Sequence, residues 1–185
     1  MSGGAGARAN AGAGAVSGGA PGGGAPAPSG SPAPPAAYEA RRPGFLISTD
    51  PGLIDLETVH GFLTRVYWSE GIPKETVARG IAGALCFGVY DVSAGPPAQA
   101  GFARVITDRA TFAYLSDVFV LEAYRGRGLS KWLVETILAH PDLRGLRRFC
   151  LLTRDAHGLY ARYGFRPLAD PRRYMERWDP DVYKR

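Results

Sequence analysis

From Gly44 onward the chain alternates between two hydrophobic periods. Phe45-Leu46-Ile47-Ser48 is a short apolar run closed by the turn residues Asp50-Pro51-Gly52, and it predicts a strand. Leu53, Leu56, Val59, His60, Leu63 and Val66 then recur at helical spacing, with Asp50 as the expected N-cap. Pro73 sits at the expected first turn of a second helix that carries Val77 and Ile81 on one face. Gly80 and Gly83 weaken that helix. Three apolar runs follow, over residues 85–90, 99–106 and 111–121. The first two are joined by a loop of Ser, Gly and Pro, as in an antiparallel hairpin. Residues 128–140 read as an amphipathic helix with Leu129, Trp132, Leu133, Ile137 and Leu138 on its apolar side, ended by Pro141. A strand over 148–153, a short helix over 155–163 capped by Asp155 and closed by Gly164, and a last strand over 165–168 complete the pattern. The order is β-α-α-β-β-β-α-β-α-β, which predicts an α/β fold with a mixed sheet and helices packed against it.

Composition separates a tail from this domain. Residues 1–37 are almost entirely Gly, Ala, Pro and Ser, with Arg8 the one ionisable side chain and Val16 the one large apolar side chain after Met1. Such a segment cannot offset the entropy of ordering, so it is expected to be a disordered, inert extension. Residues 38–185 then form one domain of ordinary size, large enough to bury about two thirds of its unfolded surface. Of the whole chain's formal charge of +5, the tail contributes only one unit, too little overall to imply nucleic acid. Arginines gather at one turn and acids are interspersed elsewhere, so no basic stripe appears. No run of about 18 apolar residues suggests a membrane span, and the N-terminus lacks the apolar core of a signal peptide. A cytoplasmic protein is expected. Cys86 and Cys150 both lie in apolar runs and read as buried thiols, and His60, His140 and His157 are too scattered to imply a metal.

The sharpest local feature is Tyr124-Arg125-Gly126-Arg127-Gly128-Leu129, between the end of a strand and the start of a helix. Two glycines two apart let the backbone turn tightly and converge its N–H groups. The helix N-terminus adds unpaired donors and a partial positive charge, and two arginines add more. These features together describe a diphosphate site. The redox dinucleotide fingerprint fails, because Lys131 stands where its third glycine belongs and no acid follows at the ribose position. The kinase-type phosphate loop is absent as well, so neither NAD nor ATP is the expected ligand.

The stretch Asp117-Val-Phe-Val-Leu-Glu-Ala-Tyr-Arg-Gly-Arg-Gly-Leu-Ser130 resembles the acyl-CoA signature of the GNAT superfamily of N-acetyltransferases. Leu159-Tyr160-Ala161-Arg162-Tyr163-Gly164-Phe165 is similar to that superfamily's second hallmark, and the resemblance spans residues 44–170. Ala123 departs from the Gln or Arg usual three positions before the first glycine. The resemblance implies a mostly antiparallel mixed sheet with helices on both faces. It also implies acetyl-CoA as donor, with no metal. Carried over by position, the backbone at Arg125, Gly126, Arg127, Gly128, Leu129 and Ser130 would hold the pyrophosphate. The backbone of Val118, Phe119 and Val120 would pair with the pantetheine arm, given a splay between the strands over 111–121 and 148–153. An acceptor amine is implied, a small molecule favoured over a protein lysine or N-terminus, and a homodimer is a further expectation. Residues 172–178 are the expected edge element or dimer contact. A non-catalytic acyl-CoA sensor is the competing reading.

Acyl transfer to an amine needs a neutral nucleophile, a donor for the oxyanion and a proton for the leaving thiolate. An amine with a pKa of about 10.4 is almost wholly protonated at neutral pH, a deficit of roughly 4–5 kcal/mol. Tyr160, at the superfamily's usual tyrosine position, is the candidate acid, with Tyr163 as its neighbour and rival. Asp117 is the candidate base or ammonium binder, since a carboxylate inside an apolar strand is costly unless used; a structural acid at a bulge is the alternative. Strand alternation puts it on a face with Leu115 and Phe119. His157, at a helix start, is a candidate cofactor contact or proton relay. Tyr67 and Trp68 are candidates to enclose the acceptor, and Arg104, Asp108 and Arg109 to edge its pocket.

Overall fold

The computed structural model describes residues 36–184. Two short strands, β1 (Glu39–Arg42) and β2 (Phe45–Ser48), open the fold as a hairpin turned at Gly44, whose φ of +75° suits glycine. Two helices follow, α1 (Leu56–Leu63) and α2 (Lys74–Ala82). The centre is a meander of three long strands, β3 (Leu85–Asp91), β4 (Ala98–Thr107) and β5 (Phe112–Val120). Helix α3 (Leu129–Ala139) crosses to β6 (Arg148–Leu151), and the short α4 (His157–Ala161) comes last. The six strands lie in sequence order in one sheet, all neighbours antiparallel except β5 and β6. The mixed, mostly antiparallel α/β architecture expected from the pattern is therefore present.

Alternation along the strands divides the core between two faces. Phe87, Val89, Ala103, Val105 and Leu115 pack with Trp132, Leu133 and Ile137 of α3. Cys86, Phe102 and Phe119 pack with Val59 and Leu63 of α1 and Val77 of α2. Each fully buried Leu, Val or Phe side chain contributes roughly 1.5–3 kcal/mol.

Several boundaries differ from expectation for local reasons. No apolar pattern marks strand β1, because it is short, polar and at the sheet's edge; Ala40 packs against the core and Arg42 lays its guanidinium over the Trp132 ring. The expected strand over 165–168 does not form. Phe165 still packs its ring on Phe149 and Tyr160, but its backbone N–H donates to the Tyr160 carbonyl, and Pro167 has no N–H to give a ladder. Asp50 caps a single 3₁₀ turn, Pro51–Leu53, through Gly52 N at 2.8 Å. The cap of α1 is instead Asp55, which accepts from the N–H groups of Glu57 and Thr58. Pro73 is the N-cap of α2 rather than part of its first turn. Helix α4 starts two residues later than expected and has no side-chain cap, so Asp155 is not its N-cap; Thr153 Oγ1 accepts from Ala156 N just before it.

Cys86 is buried, and burial pushes its thiol up to about 12, whereas Cys150 is only half-buried, its Sγ 3.1 Å from the Tyr174 hydroxyl. His140 is buried at the end of α3 between the rings of Tyr38 and Phe87. His60 is half-buried, its Nε2 3.1 Å from the Ile72 carbonyl. The segment over 172–178 contains the end of a 3₁₀ turn, Pro171–Arg173, and no strand. The tail proposed over 1–37 lies outside the described residues, apart from exposed Ala36 and Ala37.

Candidate active site

Strand β5 decides the geometry, because it is not paired alike along its length. From Ala113 to Leu115 it is held on both sides, by β4 and by β6 from Phe149 to Leu151. Beyond Leu115 the parallel ladder stops, while β5 runs on to Val120 with β4 alone. The strands expected to splay therefore part here. In this second half, two steps along β4, from Phe102 to Arg104, face three along β5, from Ser116 to Phe119. The extra residue is a β-bulge, and Asp117 within it has a φ of +55°, a left-handed conformation that Asp tolerates better than most residues.

The bulge corrects the face expected for Asp117. Leu115 packs with the α3 side of the core and Phe119 with the α1–α2 side, so alternation slips by one residue between them. Asp117 shares its side with Phe119 and not with Leu115. Its carboxylate accepts from Arg104 Nε at 2.6 Å through Oδ2 and from Ser116 Oγ at 3.1 Å through Oδ1. The pair lines a cavity of about 240 Å³ walled by Leu63, Val77, Ile81 and Phe102.

A larger cleft, of about 510 Å³, opens at the parted strands. Val118, Phe119 and Val120 line it from β5, Leu159 and Tyr160 from α4, and Phe62, Tyr67 and Trp68 from α1 and the loop beyond it. Leu121 N donates to Ala100 O of β4, so by alternation Val118 and Val120 turn their backbone polar groups toward the open edge. Arg125 Nε reaches the Val120 carbonyl there, at 3.3 Å.

At one end of the cleft stands the glycine turn. Gly126 and Gly128 both adopt left-handed backbones, with φ of +77° and +75°, and a Cβ on either would meet nothing within 4 Å. Gly128 is the N-cap of α3, and Leu129 and Ser130 begin that helix, so their N–H groups belong to its unpaired first turn. Arg125, Gly126, Gly128, Leu129 and Ser130 all line the cleft. Arg127 does not; its guanidinium lies over the rings of Phe45 and Tyr124.

Tyr160 is buried, and burial, then Tyr67, raises its hydroxyl above the ordinary tyrosine value. It is therefore protonated at neutral pH. Tyr163 points its hydroxyl elsewhere, to the Lys131 carbonyl and Glu135. His157 occupies the first turn of α4 but does not line the cleft. Tyr67 and Trp68 are both exposed, edge to face at 5.0 Å, and the Arg154 guanidinium sits 3.8 Å above the Tyr67 ring. That contact joins the two walls of the cleft. Arg154 and Phe62 lie in no motif, so nothing local in the sequence marks them. Asp108 and Arg109 lie at the far end of the strands: Asp108 caps its own turn, accepting from three backbone N–H groups, and Arg109 pairs with Asp142. Among the described residues no cluster of His, Cys, Asp and Glu could hold a metal, and no helix is long and apolar enough to cross a membrane.

Known proteins share this fold. Residues 82–167, from the end of α2 through the glycine turn and α4, match the family model of the acetyltransferase (GNAT) domain. The curated relative "Putative acetyltransferase FG08082" of Gibberella zeae is 31% identical over 140 residues, covering 65% of this chain and 78% of that protein. A Xanthomonas campestris protein whose crystal structure is assigned to the GNAT family is 51% identical, with a TM-score of 0.72 over 76% of this chain and 97% of that one. Glucosamine-6-phosphate N-acetyltransferase of Arabidopsis thaliana, at 16% identity, shares the fold with a TM-score of 0.53 over 72% of this chain and 97% of that one. With strands that part at β5 and a left-handed glycine turn leading into α3, the chain belongs to the GNAT family of acetyltransferases.

Proposed function

We propose that the protein transfers the acetyl group of acetyl-CoA to a primary amine, by direct attack in a ternary complex, with a small-molecule acceptor. The observation that carries this reading is the conjunction of an open β5 edge with a left-handed glycine turn at one end of the same cleft. The donor supplies an activated thioester; the chain's own groups hold and orient it. Backbone N–H groups of Gly126, Gly128, Leu129 and Ser130 converge on the anionic end, aided by the partial positive charge of α3. The backbone of Val118 and Val120 offers ladder positions to an extended amide arm, as an added strand would find them. Phe119 and Leu159 exclude water from the apolar stretch between.

The acetyl end then lies toward Tyr160. A tyrosine held protonated by burial can hydrogen-bond the sulfur and give its proton as the C–S bond breaks. The Val118 N–H, on the open edge beside the bulge, is the donor for the oxyanion. Asp117 approaches from the other side of β5 and receives the ammonium. Neither cysteine lines the cleft, which favours direct attack over an acyl-cysteine intermediate.

Calorimetric titration of the full chain with acetyl-CoA, with NAD and ATP as controls, tests the donor. Binding of acetyl-CoA alone, followed by thiol release with small amines, is the expected result. No acetyl-CoA binding overturns the reading. Binding without turnover on any amine replaces it with a sensor.

A further inference from the structure

The smaller cavity carries a sharper statement about the acceptor. Leu63, Ile72, Val77, Ile81 and Phe102 form its apolar wall, and Thr76 of α2 and Tyr183 of the C-terminal segment add polar groups. Its charge is concentrated in one ion pair, Arg104 with Asp117, whose side chains are 22% and 9% exposed. The pair is net neutral, and most of its hydrogen-bonding capacity is unspent. A guanidinium has five N–H donors; among the described residues Arg104 spends one, through Nε. Asp117 accepts two hydrogen bonds and retains lone pairs. Gly80 makes room for the guanidinium, since a Cβ there would stand 3.3 Å from Arg104 Nη1. Asp117 lines the cavity and its chain neighbour Val118 lines the cleft, so the two hollows meet at consecutive residues of β5, whose Cα atoms are about 3.8 Å apart.

We propose, resting on the acetyl-transfer reading above, that this cavity is the acceptor site and that the acceptor is a free α-amino acid with an apolar side chain. Its carboxylate takes the Nη edge of Arg104, its ammonium takes Asp117, and its side chain takes the apolar wall. A ligand of both signs matches a neutral pair, whereas a lone anion or cation would leave net charge in a poorly solvated pocket. A planar carboxylate suits the guanidinium fork. The volume of about 240 Å³ is the share of roughly eight waters, on the order of a leucine or methionine. A protein lysine fits less well, having no carboxylate beside its amine. In the reaction the ammonium gives up a proton through Asp117 to solvent. The nitrogen bonds to the acetyl carbon, the C–S bond breaks, and the thiolate takes the proton of Tyr160. Tyr160 recovers its proton from the second one lost by nitrogen, leaving an N-acetyl amino acid and CoA thiol.

The test is calorimetry on the full chain saturated with CoA. L-leucine is compared with isoamylamine, which lacks the carboxylate, and with 4-methylpentanoate, which lacks the ammonium. Leucine is expected to bind at least tenfold more tightly than either. The double variant Arg104→Met/Asp117→Asn removes both charges, orphans neither, and keeps a residue that tolerates the backbone at position 117. It is expected to abolish the preference while CoA binds as before. Equal binding of the three compounds, tightest binding of either fragment, or no binding of leucine overturns the proposal, on the native protein alone if the variant fails to fold. Failure of CoA to bind would instead overturn the acetyl-transfer reading, and leucine titrated into the free protein would then decide the acceptor site separately.

Discussion

The two hollows beside β5 are built from different parts of the same chain. The larger cleft is a backbone construction: an unpaired strand edge, two left-handed glycines and the first turn of α3. The smaller cavity is a side-chain construction, in which one guanidinium and one carboxylate face each other between apolar walls. Backbone groups are common to every residue, so a cleft of this kind depends on conformation and tolerates many side chains. A buried ion pair depends on two identities, and removing either leaves the other uncompensated. The first arrangement suits a donor with a constant diphosphate and amide arm. The second suits a particular acceptor.

The largest expected effect belongs to the cavity. Arg104→Met should cost about 3 kcal/mol of stability, because Asp117 is left buried and unpaired, toward the lower end because Arg104 keeps some solvent. Chemical denaturation should find more than half of that loss recovered when Asp117→Asn is added. If the single and double variants melt alike, the pair is not what distinguishes this hollow. Next comes the junction of the two. Tyr160→Phe should lower kcat about 100-fold, roughly 2.7 kcal/mol, with little change in acetyl-CoA affinity measured by calorimetry. A change in affinity with kcat preserved would return Tyr160 to a packing role.

Gly126→Val tests the backbone side. Space is open around Gly126, so only its left-handed φ opposes a side chain, at a cost of about 1–2 kcal/mol. Acetyl-CoA should bind roughly tenfold more weakly, and leucine binding should not move. Removing a side chain from the same turn, as in Arg127→Ala, should be milder, since Arg127 lies over Phe45 and Tyr124 outside the cleft. The smallest effect concerns neither hollow. Burial holds His140 below the ordinary histidine value, and its Nδ1 accepts from Asp142 N. The neutral ring is therefore favoured in the folded state. Its contribution is present above the unfolded value of about 6.5 and is lost as pH falls from there through the folded value. Thermal melts between pH 7 and pH 5 should show this decline, and His140→Gln should flatten it.

The difference between the hollows is also the difference between what was legible early and what was not. Gly126 and Gly128 stand two apart between an apolar run and a helical period, and all of that is local information. The same holds for Tyr160, four residues before Gly164 at the end of a short helical run. Asp117 stands out locally, because a carboxylate in an apolar strand is anomalous, but its side of the sheet is not legible. Alternation assumes one residue per step, and the bulge opposite Phe102 and Arg104 adds one. The sequence marks Arg104 only as a candidate for the pocket's edge. Its partnership with Asp117 joins residues 13 apart in sequence on neighbouring strands, which no local pattern encodes.

By itself, then, the sequence determined what depends on neighbours a few residues away: the long strands, the helix after the glycine turn, the order of elements from β2 to α4, and the glycine turn itself. Tertiary structure decided what depends on distant chain segments meeting. It chose Asp55 over Asp50 as the cap of α1, withheld a strand at 165–168, brought Arg154 onto Tyr67, and stopped the β5–β6 ladder at Leu115. Periodicity records which side of an element is apolar. Where two elements stop pairing, and which charges then face each other, is settled only when they pack.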